Sequence, residues 1–251
     1  MYRQDKWLTW LERQMAEEVN AKLILQALEG NSSLFVEPHE VDQIHPSILL
    51  GLLKYWSPER GLGEVLRDEL RQLPHAESQE PIFLYFRYRL GLLKRAEIDK
   101  ERVRLQKLGR QTLLLGENDE DKLYTVKLWL ELLVADKAIV QDTLPALLVN
   151  HFRHYRLLEA CLLIESMDQY RHCLPDKFWQ EVLVFLKNQQ TEAGYFGYME
   201  PFYIEERGVR ELCLQGFYCY LVIELIEKRW TINDKQQIDE TLAQNNKGES
   251  K

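Results

Sequence analysis

Apolar residues recur at intervals of three and four along most of the chain, which is the spacing of one face of an α-helix. One long apolar stripe begins at Trp7 and ends at Leu28, just before the turn-forming residues 30–33. Pro46 and Pro81 each open another such segment, a position that suits proline in a first helical turn. The same spacing predicts further helices at about 62–73, 97–115, 119–134, 143–167 with an internal break, 175–190 and 209–229.

The pattern contains no alternating run that predicts a strand, although short apolar runs at 34–36 and 202–204 suit extended connections. Only 12 glycines and 8 prolines occur among 251 residues, which argues against a turn-rich β-sandwich or barrel. We therefore predict an all-α fold built from successive helix hairpins. Residues 1–232 are predicted to form a single helical domain, and the polar residues 233–251 to form a flexible tail.

The charge balance narrows the choice of partner. The chain carries 32 basic and 40 acidic side chains, a net charge of 32 − 40 = −8, and its isoelectric point is near 5.4. An acidic chain argues against a nucleic acid or a membrane surface as the partner. Charges interrupt the first residues, and no segment approaches the roughly 20 apolar residues of a membrane-spanning helix. We therefore expect a soluble, cytoplasmic protein with reduced cysteines, namely Cys161, Cys173, Cys213 and Cys219.

The last third of the chain contains a more specific pattern. A helix ending in paired glutamines is followed by a loop of glycines and aromatic residues, and then by a very apolar helix that starts near Val209. A glutamine amide can satisfy free backbone groups at a helix end, and glycine permits a sharp reversal of the chain. We predict positive φ at Gly194 or Gly197, a Phe196 ring packed under the loop, and bonds from Gln190 to the backbone at a helix end.

The spacing Gln-x-x-x-Gly-x-aromatic, present here as Gln190, Gly194 and Phe196, resembles the helical repeat of the terpenoid cyclases and protein prenyltransferases. The resemblance is best over residues 175–226 and implies a partial or complete α/α-toroid. The chain departs from those enzymes in its acidic residues. Residues 117–121 lack the order of the Asp-rich motifs and suit a helix start, and no Asp, Cys and His zinc set is evident. An ordinary helix-end turn is the alternative explanation of the spacing.

Aromatic residues are densest in and after this loop. Tyrosine combines apolar area with a hydroxyl group, as ligand pockets and interfaces require, and charged residues follow the cluster. The candidate ligand-binding residues are Tyr195, Phe196, Tyr198, Phe202, Tyr203, Tyr218, Glu206 and Arg210. Packing of these rings in the core is the alternative interpretation.

The segment 87–110 is locally basic in an otherwise acidic chain. Lys100, Arg104 and Lys107 stand four and three residues apart, so on a helix they lie on one face. They are the candidate partner-binding residues, suited to an acidic partner, a phosphate or a peptide carboxylate. The alternative is a solvated helix face that pairs with the acidic remainder of the chain.

No cofactor and no metal site is predicted. His151 and His154 share a helical face, but Arg153 and Arg156 beside them oppose a cation and favour a solvated or capping role. The chain also lacks a phosphate-binding glycine loop, a nucleophile elbow, a zinc-protease motif and an EF-hand loop.

Two classes of function remain open from the sequence. The favoured class is an accessory or binding protein that presents an aromatic-lined concave site to a peptide, a small apolar ligand or a protein partner. The alternative is a cyclase-like α/α-toroid enzyme of natural-product formation, with an unassigned active site. Such an enzyme needs an acid or metal constellation pointing into its cavity, and the sequence shows none, which favours binding.

Overall fold

The computed structural model describes residues 2–29, 43–45, 47–48, 51–52, 67–68, 71–72, 80–114, 120–133, 139–197 and 208–248. Within these ranges the chain is all-helical, which confirms the predicted class, and its β-structure is limited to one isolated antiparallel bridge between Gln190 and Phe196. The α-helices are α1 (Gln4–Gln14), α2 (Val19–Leu28), α3 (Pro81–Arg89), α4 (Arg95–Leu114), α5 (Glu120–Leu132), α6 (Leu144–Arg153), α7 (Leu157–Met167), α8 (Asp176–Lys187) and α9 (Val209–Gly248).

Shorter helical turns complete the described chain. A π-helical turn, Ile139–Thr143, precedes α6, and a 3-10 helix, Asp168–Cys173, follows α7. The predicted break within 143–167 falls between α6 and α7, where Tyr155 has φ 59°. The predicted helices that open at Pro46 and at about residue 62 lie largely outside the described residues.

The single stripe predicted from Trp7 to Leu28 is wrong as one helix, because the chain forms α1 and α2 with a turn between them. Glu18 is extended there, with φ −127°, and its carboxylate accepts a hydrogen bond from the backbone N–H of Asn20, which caps the start of α2. Both helices turn their apolar faces to the same core, so the three-four spacing continues through the turn and conceals it.

Consecutive helices pack as pairs: α1 lies on α2, α4 on α5, α6 on α7, and α8 on α9. The second members of these pairs are also neighbours of one another, in the series α2, α9, α7 and α5, and α5 then contacts α3. In addition, α1 contacts α9, so the first described helix packs on the last one. The predicted succession of helix hairpins therefore describes how these helices pack.

The core is centred on α7 and the first half of α9. Every residue of α7 from Ala160 to Met167 is buried, including Glu165 and Ser166. By contrast, α8 buries one face, with Trp179 and Leu186 fully enclosed, and exposes the other. This difference is typical of a helix between two neighbours and of a helix at the periphery, respectively.

The polar segment predicted to be a tail continues α9, whose backbone is helical as far as Gly248. The boundary at residue 232 and the flexibility beyond it stay predictions. Among the described helices, none combines the length and the apolar character needed to cross a bilayer.

Candidate functional site

The glutamine predicted to bond a helix end does so at the beginning of the chain. The Oε1 atom of Gln190 accepts a hydrogen bond from the backbone N–H of Arg3 at 2.6 Å, and its Nε2 donates to the Arg3 carbonyl at 2.9 Å. Arg3 is the residue that immediately precedes α1. The same Nε2 also donates to the carbonyl of Gly194 at 3.2 Å. One side chain thus joins the loop that follows α8 to the start of α1.

The loop itself is a tight reversal. The backbone N–H of Thr191 donates to the Tyr195 carbonyl at 2.9 Å, and that of Gly197 donates to the Gln189 carbonyl at 3.0 Å. Gly194 has φ +108°, which confirms the predicted positive φ. A Cβ added at Gly194 would lie 2.2 Å from the carbonyl oxygen of Lys6, so the loop backbone rests directly on α1.

The aromatic rings of the loop pack against α1. Phe196 is fully buried, with its ring centroid 5.9 Å from those of Tyr2 and Trp7, as predicted for a ring under the loop. Tyr195 lies 5.9 Å from Trp10. The Nε2 of Gln215 on α9 donates to the Phe196 carbonyl at 2.8 Å. These contacts engage both rings in packing, and their ligand-binding role stays a prediction.

The structure describes four of the eight predicted ligand-binding residues, and two of them lie on α9. Tyr218 is buried on α9, and its hydroxyl donates to the Ser47 carbonyl at 2.8 Å. Arg210 lies exposed in the first turn of α9. The remaining predicted residues lie outside the described ones; they are Tyr198, Phe202, Tyr203 and Glu206.

A short segment near Ser47 is held by α2. The buried side chain of Asn20 accepts from the backbone N–H of His45 at 2.8 Å and donates to the Gln43 carbonyl at 3.2 Å. The Nδ1 of His45 accepts from the backbone N–H of Ser47 at 3.2 Å. Burial, and then the charge of Arg210, lower the pKa of His45 from 6.5 to about 4. The imidazole is therefore neutral at pH 7.

Acidification is expected to destabilise the fold through His45. Because the folded pKa of about 4 lies below the ordinary 6.5, the unfolded state binds the proton first as the pH falls. The stabilisation of the folded state by neutral His45 is complete above pH 6.5 and is lost between about pH 6.5 and 4. Its loss lowers the free energy of unfolding by up to about 3 kcal/mol. Urea denaturation of the wild type and of His45→Gln at pH 7.5, 6 and 5 measures this effect. The free energy of unfolding of the variant should fall less over this range. If it falls equally in both proteins, groups other than His45 cause the pH dependence.

The basic residues predicted to bind a partner lie on an outward face of α4. Lys100, Arg104 and Lys107 are all exposed. Arg104 is not free, because its guanidinium is hydrogen-bonded to both carboxylate oxygens of Glu101, which is buried. Within the described part of the chain, Lys100 and Lys107 make no ion pair. The positive charge that this face offers to a partner therefore comes chiefly from the two lysines.

A polar centre that the sequence analysis did not find lies between α5 and α7. Lys127 is almost fully buried, and its Nζ donates to the Leu162 carbonyl at 3.0 Å, to Ser166 Oγ at 2.9 Å and to Glu165 Oε2 at 2.5 Å. The side chains of Lys127 and Glu165 are only 1% and 4% exposed, so this ion pair has almost no contact with solvent. The sequence contained a signal for this centre, because Glu165 is the one charged residue in the largely apolar run 160–167.

A second carboxylate extends the polar centre towards α3. The Tyr85 hydroxyl donates to Glu131 Oε1 at 3.0 Å, and Arg89 forms an ion pair with Glu131 Oε2 at 2.7 Å. The Nζ of Lys127 lies 5.0 Å from the Tyr85 ring centroid. Burial, and then the negative charges of Glu165 and Glu131, hold the pKa of the Tyr85 hydroxyl well above its ordinary value. Tyr85 is therefore a hydrogen-bond donor here and does not act as a base.

The metal-ligating residue types do not converge among the residues that the structure describes. No group of three or more His, Cys, Asp or Glu side chains there could hold a metal ion. His151 is buried, whereas His154 at the end of α6 has Nδ1 2.9 Å from the Asn150 carbonyl oxygen, consistent with a capping role. The four cysteines are free thiols.

In comparisons with known proteins, no family model, no curated protein and no solved structure matches this chain.

Proposed function

We propose that the chain is a binding protein that docks an acidic protein or peptide through the basic face of α4, defined as Lys100, Arg104 and Lys107. The observation that carries this proposal is the exposure of all three residues on one side of one helix. Exposed charged residues between positions 94 and 107 comprise six cations and one carboxylate, a local balance of 6 − 1 = +5 in a chain of net charge −8.

The helix is suited to present this face. Leu105 and Glu101 are buried and α4 packs on α5, so the helix is held in place while the three basic residues stay exposed. Complementary charge mainly raises the association rate and selects partners by sign. An acidic segment is therefore a better partner for this face than an apolar or a basic one.

A ring of helix hairpins is the architecture we propose for the scaffold. The series of neighbours α2, α9, α7, α5 and α3 supports it, because the first four of these helices each pack on the described helix that precedes them. The Gln190 contact to Arg3 also supports it, since it joins the loop after α8 to the start of α1. This is the arrangement implied by the resemblance to the cyclase and prenyltransferase repeat. Fold similarity of this kind carries no reaction with it.

Charge reversal tests the basic face. A fluorescently labelled oligoglutamate peptide is the probe, and anisotropy at low salt is the measurement. Lys100→Glu/Lys107→Glu should weaken binding by at least about tenfold and reduce its salt dependence, because two attractive charges become repulsive. The matched control is Lys177→Glu/Lys228→Glu, which makes the same charge change at exposed positions of α8 and α9. If both variants weaken peptide binding equally, the effect comes from the net charge of the chain, and the proposed docking face is refuted.

A small apolar ligand at an aromatic-lined site is the second candidate. Buried tyrosine hydroxyls support it, since Tyr124 and Tyr218 both bond Ser47, with Tyr124 at 2.8 Å from Ser47 Oγ. A cyclase-like reaction started by a carboxylic acid is less well supported, because the buried carboxylate of Glu165 is already engaged in an ion pair with Lys127.

The two roles of the loop aromatics are separable by substitution. Tyr195→Ala should lower the melting temperature, because it removes a buried ring packed on Trp10. Tyr198→Ala tests the ligand site, with the apolar dye 1-anilinonaphthalene-8-sulfonate as the probe. Reduced dye binding at an unchanged melting temperature supports the ligand site, and unchanged dye binding opposes it.

A further inference from the structure

Two cysteines from different helix hairpins meet in the core. Cys161 on α7 and Cys219 on α9 have their sulfur atoms 3.5 Å apart, although they are 58 residues apart in the chain. Both side chains are fully buried. The two helices pack against each other, so this contact is part of a continuous interface.

The other two thiols are placed differently. Cys213 is buried on α9, six residues before Cys219, and Cys173 is half-buried at the end of the 3-10 helix. Within the described part of the chain, which includes all four cysteines, Cys161 and Cys219 are the pair in sulfur-to-sulfur contact. A disulfide bond is about 2.05 Å long, so these sulfurs must approach by about 1.5 Å. Side-chain rotation with a small helix shift covers such a distance.

We propose that Cys161 and Cys219 are a redox-active pair that forms a reversible disulfide with an oxidant of the peroxide class. One thiolate attacks a peroxide oxygen, giving a sulfenic acid and, after protonation, water. The second sulfur then attacks the sulfenic sulfur, the S–S bond forms, and the hydroxyl group leaves as a second water. In total, two thiols are oxidised and one hydrogen peroxide is reduced to two waters.

Burial of the two thiols slows the first attack on the peroxide. Burial, and then the neighbouring Cys161, raise the pKa of the Cys219 thiol well above its ordinary value. The reactive thiolate is therefore scarce at neutral pH, and the pair is reached when α7 and α9 open locally. Oxidation should be slow at pH 7 and faster at pH 9. A bond formed there ties the α6–α7 hairpin to the α8–α9 hairpin and resists further opening.

Peptide mapping of the full-length chain identifies the bond. The reduced protein is treated with hydrogen peroxide, its remaining thiols are alkylated under denaturing conditions, and it is digested with trypsin. Cleavage after Arg156, Arg171, Arg210 and Lys228 places Cys161 and Cys173 in separate peptides. Chymotryptic cleavage after Phe217 or Tyr218 then separates Cys213 from Cys219. We expect residues 157–171 linked to the peptide that contains Cys219, with two of the four thiols lost.

Stability and two variants complete the test. The oxidised protein should melt about 5 °C higher and return to its first value in dithiothreitol, because the bond closes a long loop of the unfolded chain. Cys173→Ser should still oxidise, and Cys219→Ala should not. Four alkylated thiols after peroxide treatment, or a bond mapped to Cys173 or Cys213, would overturn the proposal. Because the map uses the unaltered chain, it decides the question even if Cys219→Ala does not fold.

Discussion

Replacing Gly194 with alanine is expected to lower the free energy of unfolding by about 3 kcal/mol or more. Two costs combine at this position. The backbone has φ +108°, which side-chain-bearing residues rarely adopt, and the new Cβ would lie 2.2 Å from the carbonyl oxygen of Lys6. Relief of that overlap requires the loop to move away from α1. Urea denaturation followed by tryptophan fluorescence measures the loss.

Gly91→Ala is the matched control for this substitution. Gly91 also has positive φ, +69°, but nothing lies within 4 Å of its added Cβ. Gly91→Ala should lower the free energy of unfolding by only about 1–2 kcal/mol, which is the cost of the backbone conformation alone. The difference between the two variants therefore contains the contact between the loop and α1, together with the greater backbone strain of φ +108°. If both variants lose the same stability, that contact does not hold the fold together.

The second large effect is expected at the polar centre. Lys127→Met leaves the carboxylate of Glu165 buried without its cation, and breaking one partner of a buried pair costs about 3–5 kcal/mol. The Ser166 hydroxyl and the Leu162 carbonyl lose a donor in the same substitution. The free energy of unfolding at pH 7 should fall accordingly.

Lys127→Met/Glu165→Leu separates the ion pair from the packing around it. Apolar side chains of similar volume often replace a buried pair with little loss, because the cost of desolvating two charges disappears. The double variant should therefore recover at least half of the stability lost by Lys127→Met. A double variant less stable than either single one would mean that the two side chains stabilise the fold independently.

The sequence predicted the local parts of this structure well. The helix that opens at Pro81, the break within 143–167 and the reversal at Gly194 follow from proline position, apolar spacing and glycine, which are short-range signals. The division between α1 and α2 was missed because a continuous apolar spacing also arises when two helices face one core.

Contacts between distant residues could not be predicted in this way. Gln190 was expected to bond a helix end, but the spacing does not say that the helix is α1, 187 residues away. Lys127 and Glu165 lie 38 residues apart, and in a single sequence each is only a charge inside an apolar helix. Pairing of such charges depends on which helices are neighbours, and the three-four spacing does not determine that.

The docking of α1 on the loop after α8 and on α9 is tested most directly by hydrogen exchange. A terminal helix that is not docked frays, and its amides exchange nearly as fast as those of an unfolded peptide. If α1 is held by the loop, the amides of residues 8–14 should be protected to within about tenfold of those in α8. Gln190→Ala should speed exchange in α1 and leave α7 unchanged. Unprotected amides in α1 of the unaltered chain would contradict this docking.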